Sequence, residues 1–176
     1  MERILTPMAD STISSTLKKL NYGIYIVTSL KDGGELTTRN SDWVSASTIS
    51  WATQLSLDPE ILGVAIQKDS NLSETIQRSQ NFALHILAEE DRHLIDDFVG
   101  PADFSDEQVN GHSYEKGQTG APLLAEGLGY IECTLENAIT LSGDHMLFIG
   151  KPVNAMLRNP KAQAIAIEDT SFEYGG

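Results

Sequence analysis

Apolar positions along the chain fall into short runs, most of them alternating with polar ones and bounded by turn residues, the pattern of half-buried strands rather than long helices. Gly23 to Leu30 (GIYIVTSL) reads as a strand, and Asp32-Gly33 after it as a hairpin turn into a returning strand at about Glu35 to Asn40. One bent or bulged strand is expected near residues 43 to 56, and another from Ile61 to Gln67 beyond the Asp58-Pro59 turn. Asn81 to Leu87, Gly129 to Ile139 and His145 to Val153 complete the set, with apolar packing resuming at Ala121 to Leu124.

Helical spacing is confined to short pieces. Ile13, Leu17 and Leu20 share a face behind a cap at Asp10 or Ser11, ending at Gly23. Leu72 and Ile76 predict a helix to Ser79 capped by Ser70 or Asn71, and Leu94, Ile95 and Phe98 one over Asp91 to Val99. Residues 1 to 10 read as a loosely docked leader, Gly100 to Gly120 as an acidic surface excursion, and the tail from Asn159 as a short helix followed by an edge strand. Many short strands with a few appended helices predict a mainly β, antiparallel barrel. With no repeat or linker to divide it, residues 1 to 176 are expected to form a single domain.

Composition narrows the possibilities. At 176 residues with 40% apolar and 21% charged content, the chain can bury a core of its own. A net charge of −13 disfavours nucleic-acid and anionic-membrane surfaces but leaves room for a mononucleotide, which needs only a local cation or a few amides. No apolar run is long enough to span a bilayer and no secretory pattern opens the chain, so a cytoplasmic location is expected. The single cysteine, Cys133, lies in a strand-like run and is expected to be a buried thiol.

The chemically richest stretch runs from Ser45 to Ile76. Small and hydroxylated residues (Ser45, Ala46, Ser47, Thr48, Ser50, Thr53) let a flat ligand approach the backbone, and Lys68 beside a helix start can hold a phosphate. The same residues also suit strands that simply pack and bind nothing. Asp144-His145, in a strand-connecting turn, reads either as a turn that satisfies its own backbone or as a carboxylate orienting an imidazole toward a ligand. Trp43 and Trp51 are candidate ring-stacking residues or ordinary packing aromatics, and Arg39 and Arg78 are secondary phosphate candidates. His85, His93, His112 and His145 show no metal-ligand spacing, so no metal centre is expected.

The order of five segments (YGIYIVTS, SASTISWATQLSLDPEILGVAI, KDSNLSETIQRSQNFALHIL, TGAPLL-EG-LGYIECTL and GDHMLFIG) resembles the flavin reductase family over roughly residues 17 to 155. The resemblance implies an FMN-binding split barrel with Greek-key-like antiparallel strands. It implies that Ser45, Ala46, Ser47, Thr48, Ile49 and Ser50 run along the isoalloxazine, with Trp51, Ala52 and Thr53 continuing toward ribityl or phosphate. Lys68, Ser70 and Ser73 then match the phosphate loop. His85 takes a place where many relatives carry Asn, as does Ser45. Asp144 and His145 match a Gly-Asp-His turn near the docking face for nicotinamide, and are the implied catalytic pair.

The function so implied is NAD(P)H-dependent reduction of FMN, with FAD as a possible flavin and a monooxygenase or other redox partner as a possible consumer. A non-catalytic FMN protein that passes electrons to a partner is the alternative. A homodimer is expected, since the cleft in this fold class is completed by two subunits.

Overall fold

The computed structural model describes residues 12–30, 44–105 and 107–170. The predicted leader, the Asp32-Gly33 hairpin with its returning strand, Arg39, Trp43 and the end of the tail lie outside these residues.

The elements in chain order are α1 (Thr12–Leu17), β1 (Tyr25–Leu30), β2 (Val44–Ile49), β3 (Ala52–Leu57), β4 (Glu60–Gln67), α2 (Asn71–Ser79), β5 (Asn81–Ile86), α3 (Arg92–Asp97), β6 (Gln108–Val109), β7 (His112–Lys116), β8 (Pro122–Leu124), β9 (Gly129–Thr140) and β10 (His145–Leu157). Seven strands form one sheet in the order β2-β1-β5-β9-β10-β4-β3, and β6-β7-β8 form a second. Every strand pairing is antiparallel.

The bent strand expected at 43 to 56 is two strands, and the break decides the architecture. β2 and β3 stand at opposite ends of the seven-strand order, yet only Ser50 and Trp51 separate them in the chain. Two residues span under about 11 Å beyond the strand ends, so the sheet must curl until its two edges meet. The Trp51 carbonyl secures that corner by accepting the Ala65 amide of β4 at 2.9 Å.

Alternation along the central strands feeds two cores. Val27 of β1 with Phe82 and Leu84 of β5 joins Val64, Ile66, Cys133 and Phe148 inside the barrel, closed by Leu72 and Ile76 of α2. Ile24, Ile26 and Ala46 face the other way, onto Leu94, Ile95, Phe98, Val109 and Leu124. β1 and β5 are therefore covered on both sides, which is why β5 reads as mixed in the sequence. Leu72 and Ile76, each fully buried, contribute roughly 1.5–3 kcal/mol apiece to seating α2. The predicted face of Ile13, Leu17 and Leu20 is different: all three are exposed, and α1 buries nothing among the described residues.

Cys133 is buried as expected, and burial together with the neighbouring Glu132 charge pushes its thiol up to about 12. Glu132 is itself inaccessible, and burial alone would raise its pKa. Hydrogen bonds from the Thr119 amide (2.6 Å), the Thr119 hydroxyl (2.7 Å) and the Asn154 side chain (3.1 Å) outweigh that and hold it below the usual range.

Candidate functional site

β2 and β4 do not pair, and the seam between them is the candidate site. Ser47 to Ser50 face Ala65, Ile66 and Gln67 across a cavity of about 80 Å³, with His145 on its wall. A larger cavity of about 220 Å³ adjoins it, lined by Val44 to Ser47, by Ser70, Asn71 and Leu72 at the start of α2, and by Gly100 to Ala102. Ser47, Ser70 and Leu72 border both, so the two form one trough along the barrel seam.

The start of α2 is shaped by its cap. Ser70 Oγ accepts the Ser73 amide at 3.1 Å and donates to the Gln67 carbonyl at 2.7 Å. The proton of that hydroxyl is committed to Gln67, and among the described residues the anion-attracting groups here are the first N–H groups of the helix, reinforced by its dipole. Among the described residues no lysine or arginine lines either cavity.

The implied contact residues divide. Ser45, Ala46, Ser47, Thr48, Ile49, Ser50, Ser70 and His145 all border the trough. Strand geometry nevertheless turns successive side chains to opposite faces: Ser45 Oγ bonds Thr75 Oγ1 of α2 at 3.0 Å, whereas Thr48 Oγ1 donates to the Ile95 carbonyl of α3 at 2.9 Å. The Thr48 amide is also committed, to the Phe98 carbonyl at 3.0 Å. Ala52 and Thr53 belong to β3 and border neither cavity, and neither does Ser73, whose hydroxyl packs toward Met146 Sδ at 3.8 Å.

Lys68 departs furthest from its implied role. Its ammonium donates to the carbonyls of Leu141 and Gly143, and its amide donates to the Asp144 carbonyl at 2.9 Å. It ties the β9–β10 turn to the end of β4 and is absent from the walls of both cavities. His85 is also elsewhere. It is fully buried, with Nδ1–H donating to the Ile26 carbonyl at 3.1 Å and Nε2 accepting the Leu124 amide at 3.0 Å.

Asp144 and His145 do form the expected pair, with Nδ1 of the imidazole 2.7 Å from Asp144 Oδ1. The hydrogen bond and charge of His145 hold the Asp144 carboxyl below its usual range. Trp51 packs against the imidazole with ring centres 4.7 Å apart, and Tyr22 follows at 6.2 Å from Trp51. Trp51 thus positions His145 rather than bordering the trough. Gly100, Pro101 and Ala102 complete the larger cavity. The turn-rich character of their segment marks it as a functional loop, but not which of its residues arrive here.

The flavin reductase like domain model matches residues 17–173. The chain belongs to this family. It is 27% identical over 161 residues to diflavin flavoprotein A 1 of Synechocystis, a match covering 89% of this chain and 25% of that protein. The chain spans about a quarter of the length of the first curated relatives it matches. Among solved structures it resembles the NADH:FAD oxidoreductase of Streptomyces globisporus, with a TM-score of 0.70 at 20% identity over 94% of this chain and 93% of that one. The styrene monooxygenase flavin reductase of Pseudomonas putida S12 gives 0.68 at 20% identity, over 89% and 91%. At these identities the likeness to solved structures is one of fold: the mainly β split barrel of the flavin reductases. Among the described residues no helix is long and apolar enough to cross a membrane.

Proposed function

We propose that the trough binds a flavin mononucleotide and that the chain reduces it with NAD(P)H. The observation carrying this reading is the continuity of the trough, in which the capped start of α2 borders both cavities and His145, paired with Asp144, lines the smaller one. A phosphate suits the start of α2, where the first helix amides and the dipole attract an anion. The small side chains of Ser45, Ala46 and Ser47 admit a flat ring close to β2. When bound, the flavin supplies the redox chemistry by accepting hydride from the nicotinamide. His145, braced by Asp144 and Trp51, orients the nicotinamide or the polar ring edge, and no side chain is needed to carry a proton in the hydride step.

Compared with the role implied by family resemblance, His85, Ser73, Ala52 and Thr53 drop out of the proposed site, and Lys68 acts on the turn rather than on phosphate. Gly100 to Ala102 enter it. A homodimer is supported by apolar exposure on strands that would otherwise meet water: Leu55 and Leu57 on the edge strand β3, and Val153, Met156 and Leu157 on β10.

Flavin absorbance of the purified protein, followed by NADH and NADPH consumption with added FMN, FAD or riboflavin, tests the reading. Pyridine-nucleotide oxidation that depends on flavin supports it. A tightly yellow protein with no such oxidation would transfer the chain to electron-transfer flavoproteins, consistent with its partial coverage of the diflavin relative. A colourless, inert protein would sink both. Light scattering tests the dimer, and a monomer that binds flavin normally would overturn it.

A further inference from the structure

Outside the trough, beside the second sheet, the fold gathers side chains that the sequence keeps far apart. His93 and Asp97 are four residues apart on α3, His112 opens β7, and Glu126 lies in the turn between β8 and β9. His112 Nδ1 is 2.8 Å from Glu126 Oε1, and His93 Nε2 is 3.2 Å from Glu126 Oε2. The far nitrogen of His112, Nε2, is 3.0 Å from Asp97 Oδ2. One donor atom from each of His93, His112 and Glu126 falls within a sphere in which all lie within 4.8 Å of one another.

We propose that His93, His112 and Glu126 form a binding site for a zinc-class divalent transition-metal ion, with Asp97 positioning His112. Two imidazoles and one carboxylate favour such an ion over magnesium or calcium, which prefer all-oxygen shells. In a tetrahedral zinc site, ligand atoms at 2.0–2.2 Å from the metal stand about 3.3 Å from each other. His112 and His93 approach different oxygens of Glu126, at 2.8 and 3.2 Å, and the three donor atoms lie within 4.8 Å of one another, so an ion would draw the widest pair together by up to about 1.5 Å. Binding exchanges imidazole protons for the ion, with the adjustment taken up by the exposed His93 side chain.

The Asp97 contact is the carboxylate–histidine–metal relay that recurs at metal centres: a proton on Nε2 of His112 bonds Asp97 and leaves Nδ1 as the ligand. Phe98 packs on the same ring, with centres 5.6 Å apart. Access is graded: the His112 side chain is only 13% exposed, while His93 and Glu126 are 55% and 42% exposed and form an open mouth. Three protein ligands leave a fourth position for water.

The site lies where it would steady the trough. α3 carries His93 and Asp97 on one side, while its Ile95 carbonyl and the following Phe98 carbonyl hold Thr48 of β2. Gly100 to Ala102 then run directly into the larger cavity. Clamping α3 to β7 and to the β8–β9 turn fixes one wall of that cavity at a distance, so the proposed ion is structural.

Calorimetric titration of chelator-treated full chain with zinc, and cobalt absorbance as a geometry probe, tests the proposal. One ion per chain is expected, with a higher melting temperature in the loaded form. His93→Ala at an exposed position and Glu126→Gln at a half-buried one are expected to abolish stoichiometric binding while leaving the circular dichroism of the metal-free protein unchanged. Asp97→Asn is expected to weaken binding about 10–100-fold, the range for outer-shell partners. Absence of stoichiometric binding, or equal binding by wild type, His93→Ala and Glu126→Gln, would overturn it.

Discussion

His85 on β5 and His145 at the start of β10 belong to the same seven-stranded sheet, in regions of opposite character. Around His85 the strands β1, β5 and β8 leave no access to water, and each ring nitrogen meets a backbone group. Burial lowers its pKa to about 4; the Ile26 carbonyl acts against that shift and the Arg158 charge adds to it. The imidazole is a neutral cross-link between the main sheet and the small one. Around His145, at the start of β10, the ring borders a cavity, and its partner is the exposed carboxylate of Asp144. One histidine has both ring nitrogens bonded within the fold, and the other lines a cavity wall. Residue type alone does not assign function; the surrounding polar groups do.

The largest effect that would break this contrast is on stability. His85→Ala leaves the Leu124 amide and the Ile26 carbonyl buried without the imidazole and opens a void, and should cost about 4 kcal/mol. Urea denaturation checks it, and a loss below about 1 kcal/mol would deny the ring its cross-linking role.

Next is the pH dependence. The ordinary histidine pKa is 6.5 and the folded value of His85 is about 4, so between them the unfolded chain binds more protons. Stability from this group is complete above pH 6.5, falls as pH falls, and is exhausted below about 4. At about 1.4 kcal/mol per unit this amounts to about 3 kcal/mol. His85→Gln, which does not titrate, should flatten the profile over that window; an unchanged slope would assign the effect to other groups.

His145 should show the reverse. His145→Ala is expected to change stability by less than about 1 kcal/mol, while flavin-dependent NADH oxidation falls by roughly tenfold or more through lost orientation. Asp144→Asn should produce a smaller fall in the same assay, since the ring keeps its Trp51 contact. Wild-type kinetics in His145→Ala at saturating FMN would remove the residue from the proposed site.

The smallest expected effect sharpens the boundary of the site. Lys68→Met should leave flavin affinity within about twofold, because its ammonium bonds carbonyls of the β9–β10 turn rather than facing the cavities. A tenfold or greater loss in a flavin titration would return it to the phosphate.

The amino-acid sequence by itself determined the elements whose causes are local. α2 is legible from Ser70 as cap and from Leu72 and Ile76 four residues apart, β4 from its apolar run, and the Asp144–His145 pair from adjacency. Each depends on residues within about one helical turn, and the order of such segments was enough to identify the family.

What only tertiary structure decided was who meets whom. A bulge and a barrel corner look alike at Ser50-Trp51, and the corner arises because β2 and β3 pair at opposite edges of a curled sheet. Lys68 and His85 bond backbone groups far off in sequence, Lys68 in the β9–β10 turn and His85 at Ile26 and Leu124. His93 and His112, each bonded to Glu126 across 33 and 14 residues of chain, came together because α3 packs beside the small sheet. Such encounters follow from closing long loops around shared cores, and no local pattern of side chains records which distant partners that closure delivers.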